Sequence, residues 1–299
     1  MKRFEKYLYG QGYAKGTVES YLRSANFFSN WCNSKGFELE TIDYKSCLGY
    51  VKYLQQIKNG KRLSKSTVKH QIGALKILFN YLIDDNGRHT NPMQSMNIRG
   101  IKRTLNHNLL EYDELEDLYY SYPTRNIKFP SSPQVALRNK VITGFMVYQG
   151  LNTTALKSLK LEHIDINKGK LYVPSTRKTN SRTLELKSWQ IVPLLQYIEQ
   201  DREILQDAIQ SHTDALFPLN SDRFDIILRH LFKRLKRINY KVKDVKQIRA
   251  SVITHSLSSH NIREVQYMMG HRFISSTEAY LQDDLENLHQ MIESMHPIN

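Results

Sequence analysis

The feature that most constrains this chain is the stepping of its apolar residues by three and four. Val68, Ile72, Leu75, Phe79 and Leu82 follow one another at helical spacing until Asp84-Asp85-Asn86-Gly87 interrupts them, which predicts a helix from near Ser66-Thr67 to that break. Val18, Tyr21, Leu22, Ala25 and Phe28 repeat the pattern after Gly16, with Thr17 as the expected cap. Tyr44, Cys47, Leu48, Val51 and Leu54 mark another helix, and Phe4, Tyr7 and Leu8 a short opening one. Stripes of this kind must be buried against one another, so the first hundred residues are expected to form a bundle of about four helices.

Beyond Asn91-Pro92 the periodicity stops, and a polar, basic stretch opens at Asn97. The expected organisation is therefore a helical domain over 1–96, a linker over 97–110 and a second domain over 111–299. That second domain opens on Glu111-Tyr112-Asp113-Glu114, an acidic first turn suited to a helix N-terminus. A helix near Val135 to Gln149 follows, then short strand-like runs at His163 to Ile166, Leu171 to Val173 and Arg182 to Leu186, and helices to the end. Trp189 and the helix after it read as core. From Leu281, the positions Leu285, Leu288, Ile292 and Met295 recur at helical spacing and predict an amphipathic C-terminal helix. The fold class is mainly α with a small antiparallel β-sheet.

Charge narrows the partner. Among 299 residues, 43 Lys and Arg stand against 29 Asp and Glu, a formal net charge of +14, which suits a polyanion. An anionic membrane is the weaker choice, because no apolar run approaches the roughly 18 residues of a spanning helix. The start, Met1-Lys2-Arg3-Phe4-Glu5, lacks the apolar stretch of a signal peptide, and a cytoplasmic location is expected. Cys32 and Cys47 read as buried thiols. No carboxylate-metal motif or phosphate-cradling glycine loop stands out, so neither metal nor cofactor is expected. Nine of the excess positive charges lie in residues 1–100, and no acid occurs between Tyr44 and Ile83. Lys58, Lys61, Arg62, Lys65 and Lys69 fall in that interval and are the candidate phosphate-tracking residues. A second basic face accompanies Phe224, Ile227, Leu228, Leu231, Leu235 and Ile238, where Arg229, Lys233, Arg234, Lys236 and Arg237 fill the other sides. Basic helices in both halves suggest a clamp on nucleic acid.

The chemistry is written in Lys246-Gln247-Ile248-Arg249, in Gly270-His271, and in Tyr280 nine residues after that histidine. With this ordered set the sequence resembles the tyrosine recombinase (phage integrase) family. The resemblance covers nearly the whole chain, and Gly16-Thr17-Val18 and Leu63-Ser64-Lys65-Ser66-Thr67-Val68 look like that family's helical core-binding (SAM-like) domain. It implies an α+β catalytic domain in the second half, with Tyr280, Arg249, His271, Lys178 and Lys246 as its catalytic residues. Lys178 would sit on a β-hairpin ahead of a Val-Pro-Leu, matched to Val192-Pro193-Leu194. It further implies double-stranded DNA as substrate and self-association on DNA as a tetramer, with accessory DNA-bending proteins as candidate partners. Cleavage and rejoining through a 3′-phosphotyrosine linkage would serve integration, excision or transposition of a mobile element.

Physical chemistry asks for these residue types. A tyrosine attacking a phosphodiester must lose a proton held with a pKa of about 10, and must approach a phosphorus screened by negative oxygens. Arginine offers two parallel hydrogen bonds to non-bridging oxygens, a histidine another donor, and a lysine can protonate the departing 5′ oxygen. One departure stands out. Where the family carries Gly-Leu-Arg-x-x-Glu, this chain has Gly150-Leu151-Asn152-Thr153-Thr154-Ala155. Losing one preorganised donor costs about 3 to 4 kcal/mol of transition-state stabilisation. Arg177 and Arg182, flanking Lys178, are the candidate substitutes. The competing reading is a recombinase-like DNA-binding protein, catalytically impaired, that acts as partner or regulator.

Overall fold

A computed structural model of the chain describes residues 1–56, 63–100, 108–124, 132–219 and 224–281. It divides into two compact units, Met1–Lys102 and Arg103–Asn299.

The first unit consists of α1 (Lys2–Gly10), α2 (Lys15–Lys35), α3 (Tyr44–Gln55) and α4 (Lys65–Asp84). The Asp43 carboxylate caps α3 by accepting from the Ser46 N–H at 2.8 Å, and the Ser64 hydroxyl caps α4 by accepting from the Thr67 N–H at 3.1 Å. The helix therefore begins slightly ahead of the expected Ser66. Thr17 is not a cap: α2 starts at Lys15 after an extended Ala14, and the Thr17 N–H already bonds the Ala14 carbonyl at 2.8 Å. The core is aromatic, with Phe28 edge-on to Tyr50 at 4.8 Å and Trp31 at 5.1 Å from the same ring. Leu48, expected in the α3 stripe, lies at its exposed margin, whereas Cys32 and Cys47 are fully buried. Desolvation pushes their thiols up to about 11 and about 12, so both stay protonated at neutral pH. Arg88 ties the unit's far end together. Its Nη1 donates to the Leu39 carbonyl at 2.8 Å, Nη2 to Ile42 at 3.0 Å and Nε to Thr90 at 2.6 Å. Lys65 and Lys69 are exposed one turn apart on α4, while Lys58, Lys61 and Arg62 lie outside the described residues.

The second unit carries α5 (Tyr112–Tyr120), α6 (Pro133–Val147), α7 (Thr153–Ser158), a sheet, α8 (Ser188–Gln196), α9 (Arg202–Ala208), α10 (Phe224–Ile238), α11 (Val245–Ser259) and α12 (Ile262–Met269). Residues 275–281 are again helical. The sheet is β1 (Ile164–Asp165), β2 (Lys170–Val173) and β3 (Arg182–Glu185), antiparallel in that order, with Leu171 opposite Leu184 and Val173 opposite Arg182. Alternation along β3 turns Arg182 and Leu184 inward. Leu110 packs into this unit's core, and its N–H donates to the Ser251 hydroxyl at 2.9 Å.

One expectation fails at α8. Trp189 is 40% exposed rather than core, resting against Tyr120 and Tyr148. Val192-Pro193-Leu194, which follows the hairpin in the chain, lies inside α8. Proline lacks the N–H that would bond the carbonyl four residues back, and that Trp189 carbonyl instead accepts from the Tyr119 hydroxyl at 3.1 Å. On α10 Phe224, Ile227, Leu228, Leu231 and Leu235 are buried and Ile238 is half-buried, while Arg229, Lys233, Lys236 and Arg237 are exposed; Arg234 is half-buried and Ile226 lies at the exposed margin. The stripe from Leu285 to Met295 lies outside the described residues. No described helix is long and apolar enough to cross a membrane.

Candidate active site

The centre of the second unit is built on Arg249. Asp244 caps α11 by accepting from the Gln247 N–H at 2.9 Å, and the helix so started buries Arg249, which is 8% exposed. One guanidinium nitrogen, Nη1, donates to the Gly150 carbonyl. The other, Nη2, donates to the Met269 carbonyl at 2.8 Å and meets His271 Nε2 at 3.1 Å. An arginine has no acceptor, so His271 Nε2 accepts and the ring proton sits on Nδ1, which donates to the Thr277 hydroxyl at 2.9 Å. Desolvation, then Arg249 and Arg182, hold the imidazole down at about 4, so His271 is neutral at pH 7.

Backbone geometry brings the remaining parts here. Gly270 ends α12 in the left-handed conformation at φ +68°, where a side chain would be strained, and this turn delivers His271 to the site. The Gly270 carbonyl accepts from the Asn180 N–H at 2.9 Å, and His271 forms an antiparallel bridge with Thr179. The β2–β3 turn is thereby stitched to the histidine. Tyr280 lies in the helical segment 275–281 with its ring parallel to that of His271, centroids 6.3 Å apart and planes at 10°. Burial raises its phenol pKa, and the positive Arg249 opposes that rise.

Arg182 enters from β3. It is 2% exposed, its Nε donates to the Met268 carbonyl at 2.7 Å, and its Nη1 reaches the Asn180 carbonyl at 3.4 Å. Desolvation first, and repulsion from Arg249 second, bring it down to about 10. Two guanidinium groups thus hold adjacent carbonyls, Met268 and Met269, at the C-terminal end of α12, where the helix dipole favours positive charge. Among the described residues, neither pairs with a carboxylate.

The other expected residues fall around this centre. Lys178 and Arg177 are exposed on the β2–β3 turn, where the Thr176 hydroxyl accepts from the Lys178 and Thr179 N–H groups at 3.2 and 3.1 Å. Lys246 is exposed on the first turn of α11, three residues before Arg249. Asn152 caps α7: its Oδ1 accepts from the Ala155 N–H at 2.9 Å. No group of three His, Cys, Asp or Glu stands ready for a metal among the described residues. Sequence reasoning missed Thr277, fully buried and holding the His271 tautomer, and the Gly150 carbonyl that anchors Arg249. Thr277 carries a weak signal, since it stands three residues before Tyr280 and therefore on the same side of a helix.

Buried cations beside a phenol, without carboxylates, can receive an anionic ester and offer it a nucleophile. That arrangement defines a class, and sequence comparison gives it a family. The Phage integrase family matches residues 108–287, and the Phage integrase N-terminal SAM-like domain matches residues 1–87. The chain belongs to the phage integrase family, the tyrosine recombinases. The tyrosine recombinase XerD of Haemophilus influenzae is 24% identical over 304 residues, covering 98% of this chain and 95% of that protein. XerD of Vibrio cholerae is 26% identical over 297 residues, covering 96% and 92%. Among solved structures, the XerH recombinase bound to difH aligns with a TM-score of 0.68 at 20% identity, over 92% of this chain and 78% of that one. The Tn1549 transposon integrase in complex with circular intermediate DNA aligns with a TM-score of 0.64 at 14% identity, over 96% and 98%.

Proposed function

We propose that this recombinase cleaves and rejoins double-stranded DNA with Tyr280 as nucleophile, serving integration, excision or transposition of a mobile element. The observation that carries the reading is the convergence of Arg249, His271 and Tyr280, from three separate segments, on one half-buried point.

The Tyr280 phenolate oxygen attacks the phosphorus, forming an O–P bond to the 3′ side as the P–O5′ bond breaks. The phenol proton leaves to a base, and an acid protonates the 5′ oxygen, so the linkage keeps its energy for the reverse attack. Arg249 has five N–H groups and spends three on Gly150, Met269 and His271, which leaves two for non-bridging oxygens. His271, neutral and with its lone pair on Nε2, suits the role of base for the Tyr280 proton once the phosphate draws Arg249 away from it. Lys178 suits the role of acid from its stitched turn, with Lys246 assisting from α11. The helical unit over 1–96 is the proposed core-binding domain, joined by the linker 97–110 to the catalytic domain 111–299, with Lys65 and Lys69 on its phosphate-tracking face. A tetramer on two duplexes is the proposed assembly, in keeping with the lambda integrase tetramer solved on a Holliday junction.

The test is a nicked suicide duplex built on any inverted repeat found in the DNA that flanks the gene. Native protein is expected to become covalently joined to it, and mass spectrometry of the digested adduct to find the nucleotide on Tyr280. A nucleotide on another residue overturns the assignment. Specific binding without any adduct favours the impaired DNA-binding reading, which the capping role of Asn152 would then explain.

A further inference from the structure

Besides Arg249, the described residues include Arg88, Arg202 and Arg182 as buried or partly buried arginines that tie backbone together, and these differ in one respect. All three nitrogens of Arg88 are engaged by carbonyls. Those of Arg202, 7% exposed, are likewise engaged, by the Ala215 and Thr213 carbonyls and the Gln206 side chain. Arg182 is 2% exposed, yet its Nη2 is buried with no hydrogen-bond partner. A buried guanidinium nitrogen without a partner forfeits the hydration of its N–H groups, a cost that folding alone does not recover. The neighbourhood makes the cost larger, because Arg249 carries a second buried positive charge.

We infer that Arg182 is an anion-binding catalytic residue, whose free Nη2 holds a non-bridging oxygen of the scissile phosphodiester together with Arg249. The inference rests on the proposed reaction and supplies the positive charge that the neutral Asn152, committed to the α7 cap, does not. Arg182 and Arg249 donate to the consecutive carbonyls of Met268 and Met269, so one short piece of backbone sets both guanidinium groups. Gly270 is part of the same device. A Cβ there would strike Arg182 Nη1 and come within 2.9 Å of the Asn180 carbonyl, so only glycine leaves the guanidinium its place. Arg177, exposed on the turn, has no such seat.

Arg182 also ties β3 to α12, and the test must separate that structural role from the anion site. Arg182→Gln removes the charge and keeps a donor, and Arg182→Lys keeps the charge and loses the fork; circular dichroism checks that both fold. Inorganic sulfate is the first probe. It is expected to raise the melting temperature of the native protein, and to raise that of Arg182→Gln by less than half as much. The second probe is the nicked duplex, on which Arg182→Gln is expected to form adduct about a hundredfold more slowly. A neutral methylphosphonate at the scissile position should shrink that gap to under about tenfold, since a phosphorus group without charge no longer needs the missing cation; a merely structural defect would not be rescued. Equal sulfate shifts in native protein and Arg182→Gln overturn the anion site. Normal cleavage by Arg182→Gln, or loss of cleavage in Arg177→Ala alone, overturns the catalytic role. Native protein that responds to sulfate through Arg182 but forms no adduct upholds the anion site and counts against the proposed reaction instead.

Discussion

Arg88 in the helical unit and the Arg182–Arg249 pair in the second unit make opposite uses of one side chain. Arg88 spends its nitrogens on the Leu39, Ile42 and Thr90 carbonyls and lies over the Phe79 ring at 4.8 Å, so its charge closes a corner. The second unit buries two guanidinium groups near each other, leaves one nitrogen orphaned and sets a phenol alongside. Positive charge that merely serves folding is satisfied by its surroundings; positive charge kept unsatisfied at a cost marks where an anion is to arrive.

The comparison can be broken or sharpened by substitution, and the largest effect is expected at Arg249. Arg249→Ala should slow adduct formation on the nicked duplex by about a thousandfold or more, while Arg88→Ala lowers stability by about 1 to 3 kcal/mol in urea melts and leaves the chemistry of the folded fraction alone. A cleavage defect in folded Arg88→Ala would erase the contrast.

Gly270→Ala should come next. It strains a φ of +68° and displaces the Arg182 guanidinium, so stability should fall by about 1 to 2 kcal/mol and adduct formation with it, both read on the same preparation.

Acidification gives a subtler separation. His271 is held at about 4, below the ordinary histidine value of 6.5, so the folded state favours its neutral form. The stabilisation is fully present above about pH 6.5 and is lost as pH falls toward 4, on the order of 2 to 3 kcal/mol. Urea melts from pH 7 to pH 4 should show that loss, and His271→Gln should flatten it.

The smallest effect is expected on the helical unit's surface. Lys65→Gln with Lys69→Gln should reduce the slope of log affinity against log salt by about two without altering cleavage at saturating protein. An unchanged slope removes that face of α4 from the DNA interface.

The helical periodicities were legible where a helix buries one stripe: α3 and α4 fall where their apolar residues place them. Helix starts were less legible, since Ala14 rather than Thr17 begins α2 when the backbone meets its own bonds. Pro193 inside α8 was not legible, because the Tyr119 hydroxyl that takes up the freed Trp189 carbonyl lies seventy residues away in the chain. In the site, Arg249, His271 and Tyr280 could be named from the sequence through its resemblance to the family's ordered motif. Arg182 could be named only as one of two candidates, because burial and hydrogen-bond partners separate it from Arg177, and neither is a property of sequence. The Gly150 carbonyl depends on long-range folding and was hidden altogether, whereas Thr277 left only the weak signal of its spacing from Tyr280.

The central claim is that the half-buried phenol of Tyr280 is the nucleophile. Native protein and Tyr280→Phe, matched in circular dichroism and in affinity for the nicked duplex, are to be compared by denaturing electrophoresis of labelled DNA. The account predicts a protein-linked band from the native chain and none from Tyr280→Phe, which lacks only the attacking oxygen. A band of equal strength from Tyr280→Phe would contradict it.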